Sequence, residues 1–157
     1  MFEIKPRDKM VERALLVGCY TNPADKADAQ DLLDELKELT GTLGIPVLES
    51  ILVHNREPQA RYFIGSGKAE EICTRAKAID ADVIIFDNPL TPAQQRNWEE
   101  LSKVLVIDRQ EIILDIFGER AQTREAKIQV DLARMAYSLP RLTRARTSGL
   151  GSGWWRS

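Results

Sequence analysis

The sequence predicts an α/β fold, in which a four-stranded, mainly parallel sheet flanked by helices is followed by a projecting antiparallel helical hairpin. Three observations carry that expectation. Four short apolar runs alternate with helical segments, helix-start signals follow three of those runs, and after the fourth run two amphipathic segments succeed one another with no strand between them.

Residues 13–19 form the first run, which begins after a charged leader and stops at a turn signal, as a buried strand does. Asn22-Pro23 then opens a helix: Asn accepts a backbone hydrogen bond at the N-cap, and Pro tolerates the first helical position. Leu32, Leu36, Leu39 and Leu43 recur at i, i+4, i+7 and i+11, with Asp28, Asp31, Asp34, Glu35 and Glu38 on the other faces. That pattern predicts an amphipathic helix ending near Gly44. Residues 46–53 give a second strand, and residues 61–65 a short extended piece leading into a helix over 67–79. A third buried strand covers 81–87. Thr91-Pro92-Ala93-Gln94 is a capping box with Pro at the first helical position, so a helix should pass through Trp98 and Leu101. The fourth strand, 104–107, ends in Asp108, which begins another capping signal with Glu111. Ile112, Ile113, Ile116 and Phe117 then make one apolar stripe, and Ile128, Leu132, Met135 and Leu139 make a second before Pro140 stops the helix. The expected division is a sheet subdomain over 1–108, a helical hairpin over 109–146 and a flexible tail over 147–157.

A length of 157 residues suits one domain with an appendage and needs no metal or disulfide staple. No apolar run approaches the ~18 residues of a membrane span, and the first residues alternate in charge without an apolar signal segment. The expected compartment is therefore the cytoplasm. Cys19 and Cys73 lack Cys-x-x-Cys spacing and read as small buried hydrophobes. The net charge of −2 hides an asymmetry: residues 1–119 hold 14 Lys/Arg against 22 Asp/Glu, whereas residues 120–157 hold eight against two. Such a basic end can be the electrostatic footprint of a nucleic-acid contact, because arginine neutralises phosphates and releases their counterions. It can equally be a solvated helix face.

No complete catalytic motif is legible. Gly65-Ser66-Gly67-Lys68 imitates a phosphate loop, but the required Gly-x-x-x-x-Gly-Lys-Ser/Thr fails: Tyr62 stands at the first glycine and Ala69 at the hydroxyl position. The reading is a turn whose glycines permit close packing and whose Ser66 caps the next helix, with a weak anion site as the alternative. Asp87 and Asp108 close apolar strands, where sites form in open α/β sheets. A phosphoacceptor aspartate would need an acidic pair after the first strand, and Gly18-Cys19-Tyr20 stands there, so Asp87 is read as a turn residue and Asp108 as an N-cap. His54 is the one histidine of the chain, and no Cys/His/Asp cluster predicts a metal site. What remains is the basic end: Arg141, Arg144 and Arg146, with Tyr137, Trp154 and Trp155 as rings for unpaired bases.

Four strings taken in order resemble one family. They are residues 62–72 around Ile64-Gly65-Ser66-Gly67-Lys68, residues 87–97 around Asn88-Pro89-Leu90-Thr91-Pro92, Val106-Ile107-Asp108-Arg109 with Ile113-Leu114-Asp115-Ile116-Phe117, and residues 129–142 from Gln129-Val130-Asp131-Leu132-Ala133 to Pro140-Arg141-Leu142. Together they are similar to the N-terminal domain of HflX-type GTPases over about residues 13 to 146. The resemblance implies an α/β subdomain and helical hairpin that precede a P-loop GTPase domain. It also implies binding to the large ribosomal subunit, splitting of stalled or idle ribosomes, and a place near ribosomal RNA for Arg141, Arg144 and Arg146. GTP and magnesium belong to the GTPase domain, which these residues do not include, so no cofactor and no catalysis are expected here. Residues 147–157 depart from the family wording. Two other readings compete: an enzyme or signalling domain using the sheet's carboxyl edge, and a protein-interaction domain whose basic tail is incidental.

Overall fold

The computed structural model describes residues 13–142. Four strands, β1 (Ala14–Tyr20), β2 (Val47–His54), β3 (Val83–Phe86) and β4 (Leu105–Asp108), pair in parallel in the order β2-β1-β3-β4. The helices are α1 (Lys26–Thr42), α2 (Ser66–Ala78), α3 (Pro92–Ser102), α4 (Arg109–Arg120) and α5 (Arg124–Ser138), and short 3-10 turns occupy Pro23–Asp25 and Leu139–Arg141. Each predicted strand is present, within two residues of its expected ends.

A parallel sheet must be covered on both faces, and alternation along the strands shows how this one is. Leu15, Val17, Ile84, Phe86 and Val106 point to one side, where they pack with Ile72 of α2 and Trp98 of α3. Ala14, Leu16, Val83, Ile85 and Ile107 point to the other, against Leu33 and Leu36 of α1 and Ile112 and Ile116 of α4. Trp98 is fully buried, lies edge-on to Phe86 with ring centroids 4.9 Å apart, and donates its indole N–H to the Tyr62 carbonyl at 2.8 Å. That bond ties the irregular segment before α2 to the core. Within that segment Phe63 sits at φ 70, and its carbonyl accepts from the Gln59 amide at 2.9 Å and from Asn55 Nδ2 at 3.0 Å.

Local signals act as expected at three helix starts. Asn22 caps the Pro23–Asp25 turn through Ala24 N–H, Thr91 and Gln94 complete their reciprocal box at 3.1 and 2.9 Å, and the Asp108 side chain accepts from Gln110 N–H at 3.1 Å. Gly44, at φ 81, ends α1 in the left-handed conformation that costs glycine nothing.

The structure corrects the sequence in three places. The buried face of α1 is Leu33, Leu36, Thr40 and Leu43, while Leu32 is 47% exposed. Thr40 belongs to the buried face because its hydroxyl donates to the Leu36 carbonyl at 2.8 Å and so carries no unmet polarity inward. Ser66 is not a cap. Gly65 occupies the N-cap in extended conformation, Ser66 is already helical, and a Cβ on Gly65 or Gly67 would meet nothing within 4 Å, so close packing does not require these glycines.

The third correction concerns the hairpin. α4 and α5 pair antiparallel, with Arg134 Nη2 3.0 Å from Asp115 Oδ1 and the Tyr137 hydroxyl reaching Asp108. Gly118 makes room for that pairing, because a Cβ there would overlap the Arg134 guanidinium. The α5 surface turned inward is Ala126, Val130, Arg134 and Tyr137, whereas Ile128, Leu132, Met135 and Leu139 are 48%, 57%, 57% and 60% exposed. The stripe read from the sequence therefore faces away from α4.

Trp98→Ala should destabilise the chain by about 3–5 kcal/mol, the range for emptying a large aromatic site, with the Tyr62 carbonyl left short of a donor. Urea denaturation followed by far-UV circular dichroism measures it; a loss under about 1 kcal/mol would contradict the central place given to this ring.

Candidate functional site at the carboxyl edge of the sheet

Parallel strands bring all their carboxyl ends to one edge, and in open α/β sheets ligands sit there, where chain connections diverge to opposite sides. Here the divergence lies between β1 and β3. Asn88 fills it: its Oδ1 accepts from the Cys19 amide at 2.8 Å and its Nδ2 donates to the Cys19 carbonyl at 3.2 Å. Burial pushes the Cys19 thiol up to about 12, with Asp87 adding to the effect, so the sulfur stays protonated and unreactive.

The strand-end acids are engaged within the fold. Asp87 meets Arg109 Nη1 at 2.5 Å, and burial raises its carboxyl above the ordinary value. Arg109 also pairs with Glu35 and donates to the Leu32 carbonyl at 3.2 Å, joining the start of α4 to α1. Asp108 is 1% exposed and accepts from three directions: Leu90 N–H at 3.0 Å, Gln110 N–H at 3.1 Å and the Tyr137 hydroxyl at 2.5 Å. The Asp108 cap role is legible in the sequence. The partners Arg109 and Tyr137 are not, because they come from other elements.

Arg141 lies on the same edge. Its Nε donates to Gln95 Oε1 at 2.5 Å, its Nη2 to the Leu90 carbonyl at 3.0 Å and its Nη1 to the Tyr137 carbonyl at 3.2 Å, and the guanidinium carbon stands 4.0 Å from the Tyr137 ring centre. Arg96 adds a bond to the Pro140 carbonyl at 3.2 Å. Arg144 and Arg146 lie outside the described residues. The structure thus places Arg141 inside a clasp and leaves it half-buried. Gly65, Ser66, Gly67 and Lys68 stand at the start of α2, where Lys68 lies 3.5 Å from Glu71.

His54 stacks on Tyr20 with ring centroids 4.8 Å apart and its Nε2 lies 3.0 Å from the Thr21 carbonyl, an arrangement that orients the ring. Among the described residues no group of three or more His, Cys, Asp or Glu is placed to hold a metal ion, and no helix is long and apolar enough to cross a membrane.

Tyr137 gives this edge a pH dependence. Burial first, then the Asp108 and Glu111 carboxylates, raise its phenol far above the usual value. A phenol held neutral by the fold contributes its full stability below the unfolded value of about 10 and loses it as the unfolded state ionises above that pH. Wild type should therefore lose stability between about pH 9 and 11 more steeply than Tyr137→Phe. Near neutral pH the variant should be less stable by about 1.5–3 kcal/mol, the range for a hydrogen bond to a charged group. Urea midpoints across that pH range check both statements; parallel curves would contradict the assignment.

A family model described as GTP-binding GTPase N-terminal matches residues 30–118, and one described as GTP-binding GTPase Middle Region matches residues 120–153. The chain is 50% identical to the GTPase HflX of Akkermansia muciniphila over 144 residues, covering 92% of this chain and 33% of that protein. It is 43% identical to the GTPase HflX of Escherichia coli, covering 87% of this chain and 31% of that one. It therefore spans about a third of the length of these relatives. A GTP-binding protein of Sulfolobus solfataricus, solved with GDP, shares the fold at a TM-score of 0.56 and 23% identity, over 88% of this chain and 40% of its own. A structure of SsGBP with GDP aligns at 0.58 and 25% identity, over 89% and 39%. By these matches the chain belongs to the HflX family of GTP-binding proteins, whose N-terminal and middle regions it spans.

Proposed function

We propose that this chain is a ribosome-binding module that contacts RNA of the large subunit in the cytoplasm, as part of an HflX-like protein that splits or rescues ribosomes. The observation that carries the reading is the charge reversal after residue 119, where eight Lys/Arg meet two Asp/Glu in a member of this family. Counterion release from phosphates is the physical source of affinity for such a segment. In this reading Arg144 and Arg146 bind phosphates directly. Arg141, drawn into the clasp, both belongs to the same basic run and fixes where that run leaves the body. The chain does no chemistry itself; GTP and magnesium act in the GTPase domain of the longer protein. Asp87 and Asp108 support that division, since both are committed to internal partners.

Co-sedimentation with purified ribosomal subunits tests the proposal. The chain should pellet with the large subunit at low salt and be released as salt rises; no association with either subunit would refute it. Replacing Arg144 and Arg146 by Ala should flatten the slope of log affinity against log salt by roughly two, about one for each phosphate no longer neutralised. Folding should change by less than about 0.5 kcal/mol. An unchanged slope would return the basic end to a solvated surface.

Adding GTP with magnesium should leave the melting temperature unmoved, because a ligand stabilises only through a site in the native state. A saturable, magnesium-dependent shift abolished by Lys68→Ala would instead make Gly65 to Lys68 a nucleotide site.

A further inference from the structure

Each of α1 to α4 places residues in the core, yet α5 has no buried residue and contributes none to either hydrophobic cluster. Its hold on the body is of another kind. Along its length it rests on half-buried Ala126 and Val130 and on the Arg134–Asp115 ion pair. At its end come the Tyr137 bond to Asp108, the Arg141 bonds to Gln95 and Leu90, and the Arg96 bond to Pro140. These interactions exchange for water far more evenly than buried apolar surface does, so the segment they hold opens more easily than the core.

We propose that α5 with the Leu139–Arg141 turn is a strap, which opens from the carboxyl edge as a unit while the sheet and α1 to α4 remain folded. Tyr137 and Arg141 form the clasp that sets how often it opens. The two residues act together: the Arg141 guanidinium covers the Tyr137 ring, and Tyr137 delivers its hydroxyl to a carboxylate already fixed by β4, α4 and the loop before α3. Opening exposes Asp108 and releases the Arg141 guanidinium beside the basic residues that follow it. The value of that release for RNA contact rests on the function proposed above. The strap itself does not.

Hydrogen exchange on the whole chain, without ribosomes, tests the strap independently of the functional reading. Amides of residues 128–138 should exchange at least roughly 100-fold faster than those of β1 and β3, as a local opening unit does relative to a core. Tyr137→Phe should speed α5 exchange by roughly tenfold or more and strand exchange by no more than the same factor, so that α5 stays at least roughly 100-fold ahead of β1 and β3, as loss of a native bond from a unit that opens before the core predicts. Arg141→Lys, which keeps the charge but loses the planar fork, should act in the same direction. Equal protection of α5 and the strands in the wild type would overturn the proposal. So would a variant that closes the gap in protection between α5 and the strands, or two variants that leave α5 unmoved.

Discussion

The burial of Asp108 is the constraint on which the carboxyl edge depends. A carboxylate removed from water must find its donors inside the protein, and these come from the loop before α3, the first turn of α4 and the far end of α5. One side chain therefore ends β4, caps α4, fixes Leu90 and receives Tyr137. Breaking such a set by removing one member costs more than the net gain from forming it, since the charge stays buried with a donor missing. The α5 helix, which belongs to neither hydrophobic cluster, is thereby held to the core elements in one geometry. Gln95 extends the same logic, donating to the Val106 carbonyl at 3.3 Å while accepting from Arg141.

The sheet is legible in the sequence because strands buried on both faces read as continuous apolar runs, and β1 and β3 are buried almost throughout. Caps are legible because their chemistry is local: Thr91 and Gln94 lie three residues apart and need nothing else. The face of α1 is ambiguous for a physical reason. Leu32, Leu36, Leu39 and Leu43 satisfy helical spacing as well as Leu33, Leu36 and Leu43 do, and only the Thr40 hydroxyl's bond to its own helix lets a polar residue join the buried set. Periodicity names the residues that share a face. It does not say what the face meets, so the α5 stripe can be found in the sequence but not oriented.

The carboxyl edge is legible in its parts and opaque in its assembly. Asp87, Asp108 and Arg141 are each conspicuous as single residues. Their partners stand 22, 29 and 46 positions away, in Arg109, Tyr137 and Gln95. Separation of that order leaves no trace in spacing, because the pairs meet only once the sheet has ordered the loops. The arginine run shows the same limit. Composition counts Arg141 with Arg144 and Arg146, while the fold gives Arg141 a Tyr137 ring and two carbonyls of its own.

The competing reading of this edge as an enzyme site turns on whether its charged groups have capacity to spare. General acid–base work requires a group that faces a substrate and exchanges protons near its working pH. Asp108 is enclosed by donors, Asp87 is paired with Arg109, Asn88 fills the gap between β1 and β3, and the Cys19 thiol is held protonated. These groups hold the edge together. Charge also gathers on the outer faces of α1 and in the basic segment after residue 119, where Glu35, Arg134 and Arg141 are engaged within the fold. The chain's polarity is thus divided between an interior clasp that fixes shape and a charge asymmetry along the sequence, acidic before residue 119 and basic after it. If the chain meets RNA as proposed, this division orients the phosphate-rich partner toward the strap before any specific contact forms.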